Sequence, residues 1–272
     1  MKRRKFLSMY KNGMLSSSSD TFFEQNGIPV SAFSLRDLRG DDPVVLTLTE
    51  TTGNTTQSFT VSQIEAETDL IAFANGADLR VAEWHNQVDA KDSLTQGGLS
   101  AQPYFYRDAS FFTIGDGIKA ISIGASMTLG NGIALTSELL DTFSVMNTND
   151  SEFVCINDSS GSGKYGYYGN AGNMVDTVLT SGYGTPSLYK NGELQDVTFR
   201  GEVHTVISGG FDNIIGFNGE DMRLWVNPRI GRYLSGGASD FTGLISEYIS
   251  YPNGNKDMST FSGVLNEYYN FY

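Results

Sequence analysis

The side chains of this chain that could do chemistry are carboxylates, tyrosines and two histidines. Glycoside hydrolysis needs two carboxyl groups facing each other across a cleft, one to give a proton and one to act as nucleophile or base. Three acids at alternate positions on a strand, Glu-x-Asp-x-Glu, would all aim into one groove. No such triplet occurs in the sequence. Glu65 and Glu67 fall in a segment with a helix-start pattern. Glu220 and Asp221 are adjacent, so a strand would point them to opposite faces. No catalytic residue is assigned on this reading, and bond cleavage is not expected. His85 and His204 are far apart in sequence, and His85, following Trp84, reads as a half-exposed sheet residue. Ser160-Gly161-Ser162-Gly163-Lys164 has the glycines and lysine of a phosphate loop without its Gly-x-x-x-x-Gly-Lys-Ser/Thr spacing, so it reads as a turn.

The sugar-binding candidate is the run from Lys164 to Asn170. Tyr165 and Tyr167 would share one face of a strand, with glycines leaving their rings uncovered. Asn170 is a polar neighbour, and Tyr183 lies in a second glycine-rich stretch. These four residues are the expected ligand platform. The competing reading packs the tyrosines in the core with their hydroxyls at its edge. Trp84 and Trp225 read as core.

The elements that must hold these residues are mostly strands. Residues 44–50 alternate, with Val44, Leu46 and Leu48 expected on the core side and Val45, Thr47 and Thr49 opposite. A turn at 52–55 and a returning strand at 57–61 make a hairpin. Ser62 and Glu65 form a capping-box pattern ahead of Leu70, Ile71, Phe73 and Ala74, which predicts one helix over 63–74, stopped by Asn75-Gly76. Beyond Gln102 the chain reads as short strands and glycine turns, with strands expected at 104–106, 119–123, 140–146, 152–156, 164–168, 177–180, 187–189, 204–208, 213–217, 223–225 and 243–251. A closing helix is expected within 261–272, with Phe261, Val264, Leu265 and Tyr268 on one face. The expected fold class is all-β, a two-sheet antiparallel sandwich with one or two short helices.

Composition agrees with a folded β domain. The 272 residues are 39% hydrophobic and 18% charged, with 31 glycines and 6 prolines. The net charge is −13, but Lys2, Arg3, Arg4, Lys5 and Lys11 put five of the 18 basic residues in the first eleven. The rest of the chain therefore sets 13 basic against 31 acidic side chains. So acidic a body disfavours nucleic acid and anionic membranes as partners. Residues 1–27 read as a basic, partly apolar arm that either docks on a partner or packs on its own domain, residues 28–272. Lys2 to Leu7 has the charge pattern of a twin-arginine export signal without the apolar run that must follow. No stretch approaches the length of a membrane-spanning helix. Cys155 is the only cysteine, so no internal disulfide forms and folding in a reducing cytoplasm is the simpler expectation.

Trp84, Gln87, Thr95, Gln96, Gln102 and Pro103 stand at the spacing of a signature in concanavalin A-like jelly-roll domains. This segment resembles those of phage tail and fibre proteins and of the related arabinofuranosidase B-like family. His85 and Asn86 replace the Tyr and Asp usual there. Residues 187–194 resemble the Asn-Gly hairpin of laminin-G-like jelly rolls, residues 241–251 their penultimate strand, and residues 261–272 their terminal helix with paired tyrosines. The resemblance covers about residues 30 to 272. It implies a jelly-roll sandwich. It further implies a virion surface protein of a bacterial virus, made in the host cytoplasm and present in many copies or as a homo-oligomer. Such a protein would be held to other virion proteins by Lys2, Arg3, Arg4, Lys5 and Lys11, and would adhere to a host glycan. The alternatives are a glycoside hydrolase of the arabinofuranosidase type and an architectural decoration protein without a ligand. No cofactor is called for. Calcium is the one candidate, through Asp89 and Asp92, although Asn86 in place of an acid argues against a tight site.

Overall fold

The hairpin expected at 44–61 forms in the computed structural model, and a network of antiparallel strands grows from it. The structure describes residues 20–272 except 125–126, 131–132, 134–138, 151, 159–164, 172–185, 224, 226–227 and 232–240. In chain order the strands are β1 (Ser31–Ser34), β2 (Val44–Glu50), β3 (Thr56–Thr60), β4 (Leu79–Trp84), β5 (Leu94–Thr95), β6 (Tyr104–Arg107), β7 (Ser110–Phe111), β8 (Thr113–Ile114), β9 (Ile118–Lys119) and β10 (Ile121–Ile123). They continue as β11 (Thr128–Gly130), β12 (Leu140–Thr148), β13 (Glu152–Asp158), β14 (Tyr165–Asn170), β15 (Ser187–Lys190), β16 (Glu193–Gln195), β17 (Asn213–Glu220), β18 (Pro228–Gly231) and β19 (Gly243–Pro252).

The pairings resolve into two runs. One is β3-β2-β4-β5-β11-β18-β13-β14. The other is β16-β15-β17-β12-β19, with β19 paired on its far side to β10 and then β1. Strand β6 pairs with β4 and β10 and joins the two. A cluster of Phe33, Leu46, Trp84, Phe105, Met146, Ile156, Phe217 and Tyr248 packs between the runs. This is the all-β sandwich expected from the sequence.

A second cluster covers the outer face of the second run. Phe143 and Val145 of β12, Ile214 of β17 and Ile249 and Tyr251 of β19 pack there with Met258, Phe261, Leu265 and Tyr269 of the terminal helix, Met258–Tyr269. Strands β12 and β19 are thus buried on both faces, although each carries buried polar side chains such as Asp141, Thr142, Ser246 and Glu247. The buried helix row includes Tyr269, whereas Tyr268 is exposed and Val264 half-buried. Phe22 and Phe23, in the short helix Phe22–Asn26, pack against the same cluster.

Several local expectations are corrected. Val44 is exposed and Val45 buried, because a bulge between Val44 and Leu46 shifts the alternation by one residue. The helix expected over 63–74 is two helices, Val61–Ala66 and Thr68–Ala74, broken where Glu67 adopts φ 63°. Its capping box is formed by Thr60 and Gln63, not Ser62 and Glu65. The strand expected at 204–208 is a helix, Arg200–Ile207, whose Val203 and Ile207 are buried one turn apart. The segment expected as a strand at 223–225 instead turns, with the Trp225 N–H donating to the Met222 carbonyl at 3.0 Å. The strand expected at 177–180 lies outside the described residues.

Candidate functional site

The Trp–Gln segment is a structural clamp. Gln87 is buried; its Nε2 donates to the carbonyls of Ser34 (3.1 Å) and Arg36 (2.8 Å), and its Oε1 accepts from the Leu38 N–H at 3.0 Å. Asn86 Oδ1 accepts from the N–H groups of Ala32 and Val88. Asp89 pairs with Arg39, and Asp92 is exposed. Among the described residues no group of three His, Cys, Asp or Glu side chains could hold a metal ion. Trp84 and Trp225 are buried.

The expected sugar platform is only partly described. The backbone of Tyr165, Tyr167 and Asn170 forms β14, paired to β13, and Asn170 is half-buried. Tyr183 lies outside the described residues, as do Lys2, Arg3, Arg4, Lys5 and Lys11.

Two features emerge that sequence reading did not assign. The first is a buried carboxyl in the interior between the two runs. Glu220 closes β17 and pairs with Leu140, whose side chain belongs to the inter-sheet core. Glu220 is 0% exposed. Its Oε2 accepts from the Thr142 hydroxyl at 2.9 Å, while Oε1 has no hydrogen-bond partner among the described residues. Burial pushes its proton affinity up to about 7, against the smaller opposing effect of the Thr142 hydrogen bond. Cys155 lies near it; burial and then the Glu220 charge push that thiol well above its ordinary value, so it stays protonated and unreactive. The next residue, Asp221, lies just beyond the end of β17. Asp221 accepts from the Arg223 guanidinium at 2.8 and 2.6 Å, and those bonds hold its carboxyl below the usual range.

The other two fully buried acids have complete shells. Asp141 accepts from Asn218, Asn253 and the N–H groups of Gly219 and Gly254, locking two loops. Glu247 accepts from Arg36 at 2.8 and 2.9 Å, Ser34 at 3.0 Å and Tyr269 at 2.8 Å. These acids are scaffold; Glu220 alone of the three keeps an unpartnered oxygen among the described residues.

The second feature is a groove of about 670 Å³ on the outer face of the first run. Its walls carry Thr49, Thr56, Glu83, Thr95, Gln96 and Gln102, with Ala82 and Leu99 as apolar patches. Alternation on β2 and β3 sends Thr49 and Thr56 outward while Leu46 and Leu48 face the core, and a bulge on β4 at Ala82 turns both Ala82 and Glu83 outward between buried Val81 and Trp84. His85 bridges the groove to the same face: its Nδ1 is 3.4 Å from Glu83, and its Nε2 is 2.8 Å from the Thr47 hydroxyl. Burial lowers the proton affinity of His85, so Glu83 faces a neutral imidazole at neutral pH.

No protein-family model matches the chain, and no curated protein matches its sequence. Solved structures do match in fold. They include a mutant GH54 α-L-arabinofuranosidase soaked with 4-nitrophenyl α-L-arabinofuranoside, at 11% identity and TM-score 0.52. A GH54 arabinofuranosidase soaked with a cyclic sulfate inhibitor matches at 9% and 0.52, and an arabinofuranosidase complexed with arabinofuranosyl-α-1,2-xylobiose at 10% and 0.52. Each match covers 89% of this chain but 63% of the other, so the chain spans less than two thirds of those enzymes. At such identity the likeness is one of fold. The arabinofuranosidase side of the sequence resemblance thus has a structural counterpart, whereas the virion expectation rests on the sequence resemblance alone.

The sequence signal for Glu220 was weak for a physical reason. Strand β17 is buried on both faces, so alternation does not separate a core carboxyl from a surface one. The groove had a better signal: the outward threonines of β2 and β3 together with Gln96 and Gln102.

Proposed function

We propose that the chain acts on carbohydrate as a glycoside hydrolase, with Glu220 as the proton-carrying carboxyl. The observation that carries this reading is Glu220, a fully buried carboxyl with one oxygen unpartnered among the described residues. Burial holds its proton to about 7, the state a proton donor needs at neutral pH. The fold likeness to arabinofuranosidases supports the substrate class, and Asp158, buried at the end of β13, is the candidate for the anionic role.

The test is release of nitrophenolate from a panel of aryl glycosides that includes 4-nitrophenyl α-L-arabinofuranoside. The expected result is turnover by the wild-type chain that Glu220→Gln abolishes while the melting transition is kept. The rival is the non-hydrolytic virion adhesin that the resemblance of residues 84–103 to phage fibre domains suggests. Binding of glycans without release by the wild-type chain would favour that rival and overturn hydrolysis.

A further inference from the structure

We infer that the groove on the outer face of β2, β4 and β5 is a binding site for a neutral, hydroxyl-rich ligand, a saccharide unit. This does not depend on hydrolysis at Glu220, which lies in the interior between the runs.

Two withdrawn oxygens in the groove call for a ligand. Thr49 Oγ1 and Gln102 Oε1 belong to side chains only 5% and 4% exposed, and neither has a hydrogen-bond partner among the described residues. Both side chains line the groove. The Gln102 amide is not free to turn, because its Nε2 donates to the Gln96 carbonyl at 2.8 Å, which fixes Oε1 as an acceptor. Gln96 is held in turn, its Oε1 accepting from the Gly98 N–H at 2.9 Å. Withdrawn polar atoms without partners cost free energy unless something satisfies them. Here they sit beside the Glu83 carboxylate and the hydroxyls of Thr56 and Thr95.

The lining selects the ligand. Gln102 Oε1 and Glu83 call for donors, and the threonine hydroxyls can give or take. A sugar hydroxyl does both. Among the described residues no lysine or arginine lines the groove, so an anion is disfavoured. The nearby Arg80 guanidinium is engaged by the carbonyls of Leu99, Ser100 and Gln102 and stacks on the Tyr104 ring at 4.0 Å. A single carboxylate is too few hard ligands for a divalent cation. Ala82 and Leu99 offer apolar surface to the C–H face of a ring. The volume lies within the range of small-ligand sites.

The experiment uses the full chain carrying Glu220→Gln, so that no probe is consumed. Amide chemical shifts are followed while L-arabinose, xylobiose, cellobiose and galactose are added, with spermidine as a cationic control. The expected result is saturable movement of the Thr95, Gln96 and Gly97 amides by at least one sugar. Thr49→Val keeps the shape and removes a hydroxyl that has no partner among the described residues, so stability should hold while sugar affinity falls about three- to tenfold. Glu83→Gln should weaken it similarly. No shift at these amides with any of the four sugars, movement with spermidine alone, or sugar affinity unchanged in Thr49→Val and Glu83→Gln would each overturn the site.

Discussion

Buried acids in this protein are distinguished by how their oxygens are satisfied. Glu247 lies under Arg36, Ser34 and Tyr269, and Arg36 also stacks on the rings of Phe22 and Tyr268 at 4.6 and 4.8 Å. Replacing Arg36 by Met would leave a 1% exposed carboxylate without its counter-ion. The expected cost is about 3–5 kcal/mol, read as a lower urea midpoint at unchanged slope. Glu220 behaves oppositely, because burial favours its neutral form. Its folded proton affinity, about 7, lies above its ordinary 4.5. The stabilising effect of the protonated form is therefore complete below about pH 4.5 and is lost as pH rises through about 7. Urea titrations should show stability falling across that window by up to roughly 3 kcal/mol from this group. Glu220→Gln should flatten that component, and an unchanged pH profile in the variant would show that the carboxyl does not titrate there. Neither role was legible in the sequence, since the charge of an acid does not reveal whether arginine or only a threonine will meet it.

At the scale of elements, the sequence spoke clearly where one face is wet and poorly where both are dry. The 44–60 hairpin, the Asn191-Gly192 turn and the terminal helix follow directly from alternation, turn residues and helical spacing. The Arg200–Ile207 helix was misread because Val203, Thr205, Val206 and Ile207 are β-branched, yet burial of Val203 and Ile207 on one face outweighs that propensity. The capping register was displaced by two residues for a related reason. Ser62 matched the pattern, but its N–H and hydroxyl are taken by the Asp42 carboxylate at 2.7 and 2.6 Å. Thr60 instead exchanges hydrogen bonds with Gln63 and starts the helix. Thr60→Ala should therefore destabilise the fold by about 1 kcal/mol, measured by thermal or urea unfolding. An effect within error would mean that Gln63 and the packing of Val61 and Ile64 set this helix start without the cap.

For the whole molecule, the second run of strands is the middle layer of three, and what covers its outer face decides how the chain can be cut. The terminal helix supplies most of that cover through Met258, Phe261, Leu265 and Tyr269. The segment around Phe22–Asn26 adds to that cover, beside Leu38, Val88, Ile114 and Phe271. Phe22 meets Phe261 edge-on at 5.9 Å, the Phe23 N–H donates to the Leu38 carbonyl at 3.1 Å, and the Tyr251 hydroxyl donates to the Gly27 carbonyl at 3.3 Å. Residues 20–27 thus belong to the packed body, although composition groups them with the basic stretch before them. Two truncations separate these descriptions. A chain starting at residue 28 loses the apolar contacts of Phe22 and Phe23 and should be less stable than one starting at residue 20 by roughly 2–4 kcal/mol. It should also expose Phe261 and Tyr251, detectable as new binding of an apolar dye. Equal melting temperatures and no dye binding would place the body's true boundary at residue 28, and the helix Phe22–Asn26 would then be an appendage of the arm.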